Sequence, residues 1–239
     1  MGSNEAVILL DTSVLIDLIE RRRFIPEPLR DLEPSLKCIR RRVVARLVSM
    51  QCLTQQCFVL RDIIDGEASR VIERRFLESN LQVSPSEVNR ILSEVLRLYR
   101  INIFDKITDE DDNTMVRIIE KVWAYLTEKG DPCSNEVLDD DDAVDCIYHE
   151  FFDIRILTTA LVRGWRLITT DCWLACCLPI IIGDAVPRLL RTYGIINVYE
   201  VEVRWNAGDG LCHASIYLIT GKVAGNPTTG EQCCRACCG

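Results

Sequence analysis

Two aspartates each close a short apolar run. Asp11 follows Ala6–Leu10 in "AVILLDTSVLIDLIE", with the hydroxyls Thr12 and Ser13 directly behind it. Asp171 follows "RLITT" in the same way. A third acid, Asp153, precedes Ile156, Leu157 and Ala160, whose spacing gives a helix with one core-facing side. Gly164 then ends that helix, and the strand leading to Asp171 follows. This helix–turn–strand unit can return the chain to the sheet edge beside Asp11. Three carboxylates at close range repel, so they either shift their pKa values or share a cation. Oxygen-only ligands favour Mg2+ or Mn2+. A plainer role for Asp11 is to cap the helix that begins behind it.

The elements that must position these acids alternate between strand and helix. Strands are expected at 6–10, 57–63 and 166–170. Helices are expected near 13–22, 36–52, 65–79, 84–100, 112–129 and 142–163, the last broken near Phe151. Ser84, Pro85 and Glu87 are strong start signals ahead of a stripe at Val88, Ile91, Leu92, Val95 and Leu98. "DAVPRLLRTYG" is expected as a short helix, and 196–205 with 213–220 as a β-hairpin across "NAGDG". The tail from Gly221 is expected to be loose. This alternation predicts an α/β fold with a mainly parallel sheet. Ligands in such sheets bind outside the carboxyl ends of the strands, where Asp11 and Asp171 stand.

At these residues the chain resembles the PIN domain family, metal-dependent ribonucleases that include the toxins of toxin–antitoxin pairs. "LLDTSVLIDL" resembles the family's first motif, a strand ending in Asp with Ser two residues on. Asp153, Ala160, Gly164 and "ITTD" resemble its later motifs in spacing. The resemblance implies a three-layer α/β/α fold over 5–180; the chain departs from the family by an apparent helical insertion at 105–140, a C-terminal helix and hairpin at 181–220 and a loose Cys-rich tail at 221–239. It implies a fourth acid on a helix: Glu67 in "VLRDIIDGEASRV" is preferred, with Glu94 in "ILSEVLRL" as rival. Asp11, Glu67, Asp153 and Asp171 would then hold Mg2+ or Mn2+ and hydrolyse RNA phosphodiesters. Ser13 and Thr169 would orient the acids. Arg21, Arg22, Arg40 and Arg41, from the basic clusters at 21–23 and 37–46, would hold the RNA backbone. The partners implied are RNA, a second copy, and an antitoxin or RNA-processing protein. The alternative is a PIN-like module that binds RNA or protein without catalysis.

Other classes fit less well. A phosphatase of the haloacid dehalogenase type needs an Asp where Ser13 stands. No Gly-rich phosphate loop follows the first strand. His149 and His213 are the only histidines, and neither has a nucleophile beside it. The net charge of −8 argues against a general nucleic-acid binder. No apolar stretch is long enough to span a membrane, and no secretion signal is recognisable, so a cytoplasmic location is expected. A reducing cytosol would leave the 13 cysteines free or metal-bound, although intracellular proteins of hyperthermophiles do carry disulfides. "CCRACC" holds one C-x-x-C pair, where a structural zinc site usually needs two. Disulfides from this tail to Cys172, Cys176 or Cys177 cannot be paired from sequence.

Overall fold

The computed structural model describes residues 7–22, 24, 34–129, 140–206, 211–221 and 227–238. The chain forms an α/β fold on a seven-stranded sheet ordered β3-β2-β1-β4-β7-β6-β5. The strands are β1 (Val7–Leu10), β2 (Gln56–Leu60), β3 (Ile101–Phe104), β4 (Arg166–Thr169), β5 (Asp184–Tyr193), β6 (Ile196–Asn206) and β7 (Leu211–Gly221). Pairing is parallel from β3 through β7 and antiparallel across β7-β6-β5. β1 is buried on both faces, with Ile8, Leu9 and Leu10 fully covered. Such a strand reads as a continuous apolar run rather than an alternating one.

The strand order reverses at β1. The chain moves outward to β2 and β3, then crosses back to place β4 on β1's other side. The crevice outside the carboxyl ends of β1 and β4 is therefore the switch point of the sheet, the usual ligand position in open α/β folds.

The helices are α1 (Thr12–Arg21), α2 (Pro34–Thr54), α3 (Ser69–Glu78), α4 (Pro85–Tyr99), α5 (Asp109–Lys129), α6 (Asp140–Arg163), α7 (Leu178–Ile182) and α8 (Gly230–Cys238). Two π-helical turns, Ile63–Ala68 and Trp173–Cys177, follow closely on β2 and β4. α4 starts as its sequence predicts: the Ser84 hydroxyl accepts from the Glu87 amide, with Pro85 in the first turn. Its buried stripe includes Leu96 and Tyr99, while Leu98 is exposed. α6 runs unbroken past Phe151.

Two expectations are corrected and a third is extended. Residues 184–193 form an edge strand, not a helix, because pairing with β6 satisfies their backbone and Pro187 suits an edge better than a helix interior. The hairpin is real, with Asn206 opposite Leu211, but it belongs to a three-stranded meander that continues the main sheet through β7. The tail is not loose over 230–238, where α8 packs on the second π-helical turn and buries Cys233. The proposed insertion contains α5, which packs on α6 and α7 and is fixed by buried Asp111 pairing with Arg163 at 2.6 Å.

Among the described residues most cysteines are paired. Cys52–Cys57, Cys176–Cys233 and Cys177–Cys234 are disulfides, and Cys172 is also disulfide-bonded. Among the described residues Cys38 and Cys212 are free. No helix among the described residues is long and apolar enough to cross a membrane.

Candidate active site

Asp11 takes its position from β1. Its amide donates to the Ile168 carbonyl of β4 at 3.1 Å, which holds the two strand ends together. Its side chain caps α1 by accepting from the Ser13 amide, so the plain role is real. It does more than cap. Its Oδ2 also accepts from the Ser13 hydroxyl and, at 2.7 Å, from Thr169 Oγ1. Thr169 Oγ1 in turn accepts from the Asp171 amide at 2.9 Å, and Ser13 Oγ accepts from the Thr170 amide at 3.0 Å. A hydroxyl relay thus ties the ends of β1 and β4. Ser13 and Thr169 sit where the sequence placed them.

Asp171 is fixed by the turn it opens. Its Oδ1 accepts from the Trp173 amide at 2.7 Å and the Leu174 amide at 3.3 Å. Glu67 arrives on the π-helical turn after β2 and accepts a short hydrogen bond from the Thr12 hydroxyl. That turn lies close against α6: a Cβ on Gly66 would come within 2.6 Å of Phe152 Cζ. The glycine therefore lets the residues beside it, Glu67 and Asp153, approach from two elements.

Asp11, Glu67, Asp153 and Asp171 all line one cleft of about 220 Å3, together with Thr12, Ser13, Asp17, Glu20 and the cations Lys37, Arg40 and Arg75. Three of these acids follow the adjacent strands β2, β1 and β4. Burial raises Asp11 from 3.8 to about 7; the Ser13 and Thr169 hydroxyls oppose the shift, and the charges of Glu67 and Asp171 add to it. Burial raises Glu67 also, opposed by Thr12 and reinforced by Asp171. The acids feel one another's charge.

Glu94 is not part of this cleft. It stands on α4 beside Arg90 at 3.4 Å, half-exposed. Arg40 and Arg41 already have partners within the fold. Arg40 makes a two-pronged pair with buried Asp17 at 2.8 and 2.9 Å, and buried Arg41 pairs with buried Glu20. Their partners would be stranded if RNA took them. Arg21 and Arg22 are exposed, Arg22 lying over the Tyr99 ring at 5.9 Å. Arg23 lies outside the described residues, as do the side chains of His149, Glu150 and the acidic run at 139–142. Asp17 and Glu20 are the acids the sequence reading missed. Their signal was present: two acids three apart on a helix with little polar face, opposite a basic helix.

The donor set suits a divalent cation in chemistry: carboxylate oxygens, one of them costly to ionise where it stands. Among the described residues, however, no three His, Cys, Asp or Glu side chains close into a ready-made cation cage. The acids share a cleft without being drawn tightly together. No protein-family model matches the chain, and neither a curated protein nor a solved structure matches it.

Proposed function

We propose that the protein is a divalent-cation-dependent endoribonuclease of the PIN type. The observation that carries the reading is the arrival of Asp11, Glu67 and Asp171 from three neighbouring parallel strands, with Asp153, in one cleft at the switch point of the sheet. The reversal of strand order at β1 is also what a three-layer doubly wound fold requires.

Asp11, Glu67, Asp153 and Asp171 would hold Mg2+ or Mn2+. The ion, when bound, supplies Lewis-acid stabilisation of the phosphate and lowers the pKa of water. The chain's own part is positional. Ser13 and Thr169 hold the Asp11 carboxylate in one orientation, and the Thr12 hydroxyl holds Glu67. Asp171 is locked by the turn it caps. Asp153, carried on α6 and lining the cleft, is assigned the proton of the attacking water. Arg21 and Arg22 offer exposed charge to the RNA backbone. The partners on this reading are RNA, a second copy, and an antitoxin or RNA-processing protein, in the cytoplasm.

A second reading, a module that binds RNA or protein without catalysis, draws on the cleft's carboxylates not closing into a cage among the described residues. Cleavage of a mixed RNA substrate separates the two. The nuclease reading expects Mn2+-dependent cleavage that EDTA stops and that Glu67→Gln or Asp153→Asn abolishes, with Glu94→Gln unaffected. Tight RNA binding without cleavage at any Mn2+ or Mg2+ concentration would establish the module instead.

A further inference from the structure

The sulfur-rich face between the second π-helical turn and α8 lies outside the acid cleft, whose lining includes no cysteine. Cys176 pairs with Cys233 and Cys177 with Cys234, so two consecutive residues on one element are bridged to two consecutive residues on the other. The Cα–Cα spans are 5.6 and 4.8 Å, and consecutive Cα atoms lie about 3.8 Å apart. Four cysteines therefore share one small patch. Cys176 and Cys233 are fully buried and Cys177 is 1% exposed.

As staples, the two bridges are redundant. Either one closes the 57-residue separation. Once it has formed, the other closes a ring of only a few residues and removes little further chain entropy. As a ligand set, the four are complete: thiolate sulfur is the soft donor that selects Zn2+, and a structural zinc site takes four ligands in a closed, water-free position. Such a site places sulfurs about 3.8 Å apart around the ion, given Zn–S bonds of about 2.3 Å.

α8 is also held by contacts other than sulfur. A Cβ on Gly230 would collide with Ile180 Cγ2 and meet the Ala185 carbonyl at 2.8 Å, so the helix start is pressed against α7 and β5. The four thiols would stay together when the bridges open.

We propose that this face is a reversible sulfur site: two disulfides when oxidised, and a four-thiolate site for a thiophilic cation, Zn2+, when reduced. Two molecules of a dithiol reductant are oxidised to their disulfides as the protein's two disulfides become four thiols. One Zn2+ then displaces the four thiol protons.

The test uses the full chain, reduced with dithiothreitol and desalted without oxygen. Alkylation with iodoacetamide, with and without one equivalent of Zn2+, is mapped on peptides. The site requires Cys176, Cys177, Cys233 and Cys234 to be alkylated without Zn2+ and protected with it, while exposed Cys38 reacts in both. Cd2+ should give sulfur-to-metal absorption that Cys233→Ser with Cys234→Ser removes and Cys52→Ser with Cys57→Ser keeps. Equal alkylation with and without Zn2+, bridges that dithiothreitol leaves closed in the folded chain, or absorption that survives loss of Cys233 and Cys234 would each overturn the proposal.

Discussion

The two ends of α1 carry acids held in opposite ways. At the start, Asp11 is held by the Ser13 and Thr169 hydroxyls, and among the described residues no lysine or arginine pairs with it. Further along, Asp17 and Glu20 are buried against Arg40, Arg41 and Arg75. Both sets line the same cleft. A hydroxyl orients a carboxylate and leaves its charge in place; an arginine orients it and cancels the charge. The first arrangement is suited to receive a cation, whereas the second already contains one. Arg40 and Arg41 of α2 are therefore engaged by the fold's own acids, while Arg42 and Arg46 of the same cluster are exposed.

The comparison breaks most visibly at the arginine end. Arg41→Ala leaves Glu20 buried beside a lost partner, which is expected to cost about 3–5 kcal/mol in denaturant unfolding. A cost under about 1 kcal/mol would return Arg41 to the surface role the sequence suggested.

At the hydroxyl end the expected sign is reversed and depends on pH. Asp11 titrates near 7 in the folded chain against 3.8 when exposed. Between those values the folded state binds the proton more tightly, so cation-free stability falls as pH rises through the window. The full deficit above pH 7 is about 4 kcal/mol. Asp11→Asn should therefore raise the melting temperature at pH 8 and leave it nearly unchanged at pH 3.5. Destabilisation at pH 8 would mean that the charged carboxylate is itself a structural need.

Gly66→Ala sharpens the picture of how the acids are brought together. The added methyl meets Phe152, and overpacking of this kind costs about 1–3 kcal/mol. It should also weaken cation binding, since Glu67 and Asp153 flank the contact. Glu94→Ala gives the smallest effect, within about 0.5 kcal/mol and with cation binding unchanged, as expected of a surface side chain.

Much of this was legible in the sequence. Asp11 and Asp171 were visible because each ends an apolar run, while the orienting role of Ser13 and Thr169 came only with the family resemblance. Glu67 and Glu94 could not be separated locally, since both lie on amphipathic segments; strand order separates them, because Glu67 follows β2 beside β1 whereas α4 presents Glu94 away from the cleft. The edge strand 184–193 was hidden by apolar spacing that suits a helix, although Pro187 argued otherwise. β3 is four residues long between two long helices and leaves little pattern. The fates of Arg40 and Arg41 depended on Asp17 and Glu20, whose place on an otherwise apolar helix was readable, whereas the pairing of that helix with α2 was not. The cysteine pairing likewise needed the fold.

The most direct measurement is calorimetric titration of Mn2+ at pH 8 into the wild type and into Asp11→Asn with Asp171→Asn. The account predicts binding in the wild type that disappears in the double variant. Equal binding in both, or none in either, would contradict it and leave the strand-end acids as helix caps.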